Sequence, residues 1–171
     1  LQAKAQGLPV VVSMGSLAAS GGYWISTAGD VIFAEPNTIT GSIGIFGVLP
    51  SFENSLAKIG VTSDGVQTTP LSGQPDVTGG LSPAVERILQ STIENGYARF
   101  IGLVAQARKM TPQRVDEIGQ GRVWLGGTAH QLGLVDRFGG LDDAVTEAAK
   151  RAKLDPAKVR AVYLDKQPEP W

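Results

Sequence analysis

The chain has no cysteine. Disulfide staples and thiolate metal sites are therefore excluded, and the compartment is left open. It has one histidine, His130, so a His-rich metal centre is excluded too, and any Ser-His-Asp arrangement would rest on that residue alone. Charge is scarce: 18% of residues are charged, against an average near 25%. Fifteen basic residues stand against sixteen acidic ones, for a formal net charge of −1. No basic field invites nucleic acid, and no polybasic run invites anionic lipid. Nowhere do about 18 apolar residues follow one another, so no stretch reads as a membrane-spanning helix.

Small and turn-forming residues are abundant instead, with 22 glycines and 10 prolines among 171 residues. Such a length suits one domain. The expected division is a catalytic domain over 1–153 and a tail over 154–171, with a possible strand at Val159 to Leu164 followed by disorder. The opening Leu1-Gln2-Ala3-Lys4 reads as the middle of a helix, so the expectation is a fragment or a processed product, a domain lacking its N-terminal elements.

Leu8 to Met14 is a short valine-rich run, the pattern of a strand buried on both faces of a parallel sheet. A run of small residues follows, Gly15-Ser16-Leu17-Ala18-Ala19-Ser20-Gly21-Gly22, then a helical pattern over Tyr23 to Ala28. Strand, small-residue turn, helix is the layout of a ligand or nucleophile turn in α/β proteins. Val31 to Ala34 is predicted to be a second strand and Ile39 to Val48 a glycine-punctuated β segment. Phe52 to Ile59 reads as a short helix, Val61 to Thr69 as a strand or extended segment and 70–81 as a loop. Ser82-Pro83 places an N-cap and a proline at the first helical position. A 3.6-residue apolar stripe then runs from Val85 to Val104. Thr111-Pro112 repeats the start signal for a helix through Ile118. Short strands are expected at Val123 to Leu125 and Leu134 to Asp136, and a last helix after Gly139-Gly140 through Ala152.

Ser20 is the candidate nucleophile. Small neighbours would let a carbonyl approach, and free N–H groups at a helix start can hold a developing oxyanion. The alternative is that Ser20 only caps the helix. A Gly-x-Ser-x-Gly elbow is not present, since Ala18 replaces the first glycine. A nucleophilic serine needs a base. His130, between Gly127 and Gly133 beside Gln131, reads as an exposed surface residue. Lys4, Lys58, Lys109, Lys150, Lys153, Lys158 and Lys166 lie on polar helix faces, near a chain end or in the tail, where solvated lysine is the default. Ser42, in Thr40-Gly41-Ser42-Ile43-Gly44, is either part of a glycine-packed strand or a hydroxyl aimed at a site. Tyr23, Trp24 and Trp124 read as core.

The segment Ser13 to Ser26 closely resembles the nucleophile block of the signal peptide peptidase A (protease IV) family. Thr38 to Ile45 resembles that family's second block, and Gly121 to Trp124 and Gly133 to Asp136 resemble later ones. The likeness runs from about Leu8 to about Ala149. It implies an α/β fold, the ClpP/crotonase-like spiral of ββα units with a parallel sheet packed by helices. It implies a serine endopeptidase of the Ser/Lys-dyad type, needing no cofactor, that cleaves remnant signal peptides and other extended apolar peptides. Ser20 would be the nucleophile, Gly21 an oxyanion N–H donor and Ser42 the residue that orients the lysine. The partners implied are apolar peptide substrates, further copies in a homotetramer and the rest of the same protein; the location implied is the periplasmic side of a bacterial inner membrane. In the short form of the family the lysine follows the turn that here is Gly60-Val61, and the matching position carries Gln67. The long, two-half form is implied instead, with the lysine and one oxyanion donor upstream of Leu1. Rival expectations are a crotonase-like acyl-CoA enzyme and a non-catalytic assembly domain.

Overall fold

The computed structural model describes residues 2–69 and 71–164. Helix α1 (Gln2–Ala5) leads through Gly7, with a φ of 75°, into strand β1 (Val11–Ser13). Next come β2 (Leu17–Ala19), α2 (Gly21–Ser26), β3 (Val31–Ala34) and β4 (Ile39–Gly41). Strand β1 pairs in parallel with β3, and β2 pairs in parallel with β4. One strand-strand-helix unit is thus stacked on the next strand pair, which builds the α/β spiral of ββα units directly from the register.

Strand β3 is buried along its whole length because both faces are covered. Val31 and Phe33 pack with Ala144 of α7 (Leu141–Arg151), while Ile32 and Ala34 join the main core. That core is closed by α4 (Pro83–Arg108), whose Phe100 ring lies 4.8 Å from Trp24 of α2. Ser82 caps α4 and Thr111 caps α5 (Pro112–Ile118), each accepting from the backbone N–H three residues on, as a side-chain cap should.

Several segments differ from expectation. Residues 17–19 form strand β2 and not merely a turn, because their backbone pairs with Ile39–Gly41. Strand β1 is shorter than 8–14 and only half-buried, since β3 is its one strand neighbour among the described residues. Strand β4 ends at Gly41, and no strand forms over 61–69 or 159–164. In place of a strand at Leu134 to Asp136, those two apolar side chains sink into the core, and the ladder to β3 is made by β6 (Arg137–Phe138). The parallel scheme also has an exception in β5 (Val123–Leu125), which runs antiparallel to β4. The disorder expected at the chain's end falls on 165–171, outside the described residues. Short helices α3 (Glu53–Lys58) and α6 (Gly126–Gln131) complete the fold. Among the described residues no helix is long and apolar enough to cross a membrane.

Candidate active site

Register brings the two candidate serines together. Ala19 of β2 is paired with Gly41 of β4, so the residues that follow, Ser20 and Ser42, leave adjacent strand ends side by side. The Ser20 N–H donates to the Gly41 carbonyl (2.9 Å), and the Ser42 N–H donates to the Arg122 carbonyl (2.7 Å). Both serines have positive φ, 52° and 49°, an arrangement that costs a non-glycine residue about 1–3 kcal/mol and clusters at functional sites. Gly41 is fixed by need: its φ is 74°, and a Cβ there would lie 2.8 Å from the Trp124 ring.

Ser20 occupies the N-cap position of α2, but it does not cap. Its φ and ψ are 52° and −116°, and its hydroxyl makes no bond to the helix. Ser82 and Thr111, with ψ near 150°, do bond. The hydroxyl of Ser20 is thereby left exposed at the surface, while the first-turn N–H groups, Gly21 among them, have no intrahelical acceptor. The space beside Gly21 is open.

Ser20 and Ser42 line one cavity of about 390 Å³. Its walls come from three other places. The chain after Ser42 contributes Gly44, Ile45 and Phe46; helix α4 contributes Ile93, Glu94 and Tyr97; the turn before β5 contributes Gln120 and Gly121. The walls are pinned to one another. The Tyr97 hydroxyl donates to Asp116 Oδ1 (2.6 Å) and accepts from the Gln120 N–H (3.0 Å). Burial, reinforced by the bond to Asp116, pushes the Tyr97 hydroxyl's pKa up. Gly121 N–H donates to the Ile43 carbonyl (2.8 Å), and Trp124 Nε1 donates to the Ile118 carbonyl (2.9 Å).

A second network ties α2, which follows Ser20, to the chain at 134–136. Tyr23, fully buried, donates to the Leu134 carbonyl (2.8 Å). Arg108 grips Asp136 with two bonds (3.0 and 2.6 Å), and Asp136 also accepts from the Ile32 N–H (2.8 Å). Burial pushes the Asp136 carboxyl up, but the Arg108 and Ile32 bonds and the nearby arginine charges outweigh it and hold the group below the usual carboxylate range.

Residues 2–155 match the model of peptidase family S49. The chain belongs to that family. Protease 4 of Salmonella typhi is 59% identical over 152 residues, which cover 89% of this S49 chain and 24% of that protein. The putative signal peptide peptidase of Enterococcus faecium is 34% identical over 152 residues, covering 89% of this chain and 44% of that protein. The chain spans less than half the length of either relative. A solved enoyl-CoA hydratase/isomerase family protein from Hyphomonas neptunium is 21% identical, with a TM-score of 0.41, over 85% of this chain and 38% of that one.

The other sequence candidates stay away from the cavity of this S49 chain. His130 is exposed on α6, its ring 4.7 Å from Phe138. Lys4 pairs with Asp30 (2.7 Å), and Lys58, Lys109, Lys150, Lys153 and Lys158 are exposed. None of these lines the cavity, and neither does Gln67; Lys166 lies outside the described residues. The cavity residues that sequence reasoning missed are Phe46, Ile93, Glu94, Tyr97 and Gln120. One signal was there: Tyr97 is the only hydroxyl-bearing side chain in the α4 apolar stripe, and a tyrosine hydroxyl packed along an apolar face needs a partner.

Proposed function

We propose that this chain carries the nucleophile of a serine endopeptidase of the Ser/Lys type, acting on remnant signal peptides and other extended apolar peptides. The observation that carries the reading is the juxtaposition of Ser20 and Ser42 on one largely apolar cavity, both at positive φ, with the Ser20 hydroxyl released from capping. Ser20 Oγ attacks the scissile carbonyl while its proton passes to a neutral lysine. The carbonyl oxygen, now negative, is held by the Gly21 N–H at the helix start. Collapse of the tetrahedral adduct expels the amine, which takes the proton back from the lysine and leaves an acyl-Ser20 ester. Water, activated by the same lysine, then releases the peptide acid. Ser42 orients the lysine by a hydrogen bond.

The lysine is supplied by another part of a longer polypeptide. The absence of any lysine from the cavity lining, among the described residues, supports this reading. So does the length of the S49 relatives, of which this chain spans 24% and 44%. Assembly as a tetramer at the periplasmic face of a bacterial inner membrane belongs to the same proposal.

Cleavage of a quenched-fluorescent apolar peptide is the test. The full-length polypeptide is expected to cleave it, the 171-residue chain alone is not, and co-expression of the chain with the remaining segment should restore activity. Cleavage by the isolated chain, or by full-length protein carrying Ser20→Ala, contradicts the proposal. Intact assembly with no cleavage points to the scaffold role instead.

A further inference from the structure

The cavity beside Ser20 is walled by apolar and neutral groups with one exception. Ile45, Phe46 and Ile93 are hydrocarbon, and the Tyr97 hydroxyl is already engaged by Asp116 and the Gln120 N–H. Among the described residues, Glu94 is the single charged side chain in the lining. Its one side-chain partner among the described residues is the neutral amide of Gln90, one helical turn back (2.8 Å), and it takes part in no ion pair there. Arg122, which follows the Gln120–Gly121 wall, is committed to the Glu117 carbonyl (2.7 Å) and Gln120 Oε1 (3.0 Å) and does not line the cavity. An exposed carboxylate without a charged partner thus shares an apolar cavity with Ser20.

That combination matches an amphipathic side chain, with a hydrocarbon stem and a cationic head. We infer that Glu94 gives this cavity a preference for a lysine or arginine side chain at the residue that contributes the scissile carbonyl, its methylenes lying along Ile45, Ile93 and Tyr97 and its head meeting Glu94. A volume of about 390 Å³ accommodates either that chain or a leucine-sized one. Apolar substrates are therefore accepted, and acidic ones are disfavoured by the like charge. The inference rests on the reading of Ser20 as nucleophile, because only then does the slot face the scissile bond.

The test uses the full-length polypeptide and three peptides that differ only at that residue: lysine, norleucine or glutamate. In the unaltered protein the order of kcat/KM is expected to place lysine above glutamate. Glu94→Gln should lower the lysine-to-norleucine ratio by roughly fivefold, the scale of a partly exposed ion pair. Glu94→Arg should reverse the order of lysine and glutamate. Ratios unchanged in both variants, with cleavage still dependent on Ser20, overturn this inference and leave the peptidase reading standing. An absence of Ser20-dependent cleavage of all three peptides overturns both.

Discussion

The Ser20 N–H donates to the Gly41 carbonyl at 2.9 Å. This bond joins the end of one ββ turn to the end of the next, and it fixes Ser20 beside Ser42 before any side chain is considered. The strained backbone at both serines is held by the same ladder, with Gly41 φ 74° and Ser42 φ 49° following directly.

Strain at Ser20 should be measurable as stability. Glycine accepts a φ of 52° without a Cβ penalty, so Ser20→Gly should raise unfolding free energy by about 0.5–1 kcal/mol while cleavage falls by more than roughly a thousandfold. Urea denaturation and peptide hydrolysis on the same preparation report the two effects. A destabilised Ser20→Gly protein would mean that the turn is not strained.

Ser42 should act through the base. Ser42→Ala is expected to lower kcat by roughly ten- to a hundredfold with little change in KM, since a misplaced general base slows chemistry more than binding. Steady-state kinetics of the full-length polypeptide decide this. A change confined to KM would place Ser42 among groups that only bind peptide.

The cavity wall depends on the close approach of Gly44 to the turn at Gly121. A Cβ at Gly44 would lie 2.6 Å from both the nitrogen and the Cα of Gly121, and backbone cannot move aside as a flexible side chain would. Gly44→Ala should cost about 1–3 kcal/mol and reduce cleavage together with it. Gly102→Ala, where a Cβ would meet nothing within 4 Å, is the control and should be neutral or stabilising by up to about 1 kcal/mol.

Acid stability should track Asp136. Its carboxyl is held below the usual range in the folded chain, so its contribution is fully present above the unfolded value near 3.9. The contribution is lost as pH falls through the lower folded value. Asp136→Asn is expected to be less stable at pH 6 and to lose less between about pH 4 and pH 2 than the parent. Thermal melts across that range check the sign.

Much of the fold was legible because it is written locally. Ser82-Pro83 and Thr111-Pro112 carry their own capping chemistry, and Val31 to Ala34 is apolar on both faces because both faces are covered. Strand β2 was not legible. Leu17, Ala18 and Ala19 have no strand pattern of their own, and they become a strand only through register with Ile39–Gly41, some twenty residues on. Strand β6 was misplaced for the converse reason: Leu134 and Val135 are apolar because they enter the core, while the ladder itself falls on exposed Arg137 and Phe138. Ser20 and Ser42 stood out in sequence by their small neighbours and family motif. Ile93 and Tyr97 looked like ordinary stripe residues, because only the chain's return at 43–46 and 119–121 turns that part of α4 into a cavity wall.

On the proposed reading, Ser20 is a nucleophile whose base lies outside this chain. The most direct measurement is labelling with a serine-directed fluorophosphonate, mapped by mass spectrometry, on the full-length polypeptide and on the 171-residue chain. Phosphonylation is expected at Ser20 in the full-length protein, not in its Ser20→Ala variant, and slower by at least roughly a hundredfold in the isolated chain. Labelling at a different serine, or equal rates at Ser20 in both proteins, would contradict it.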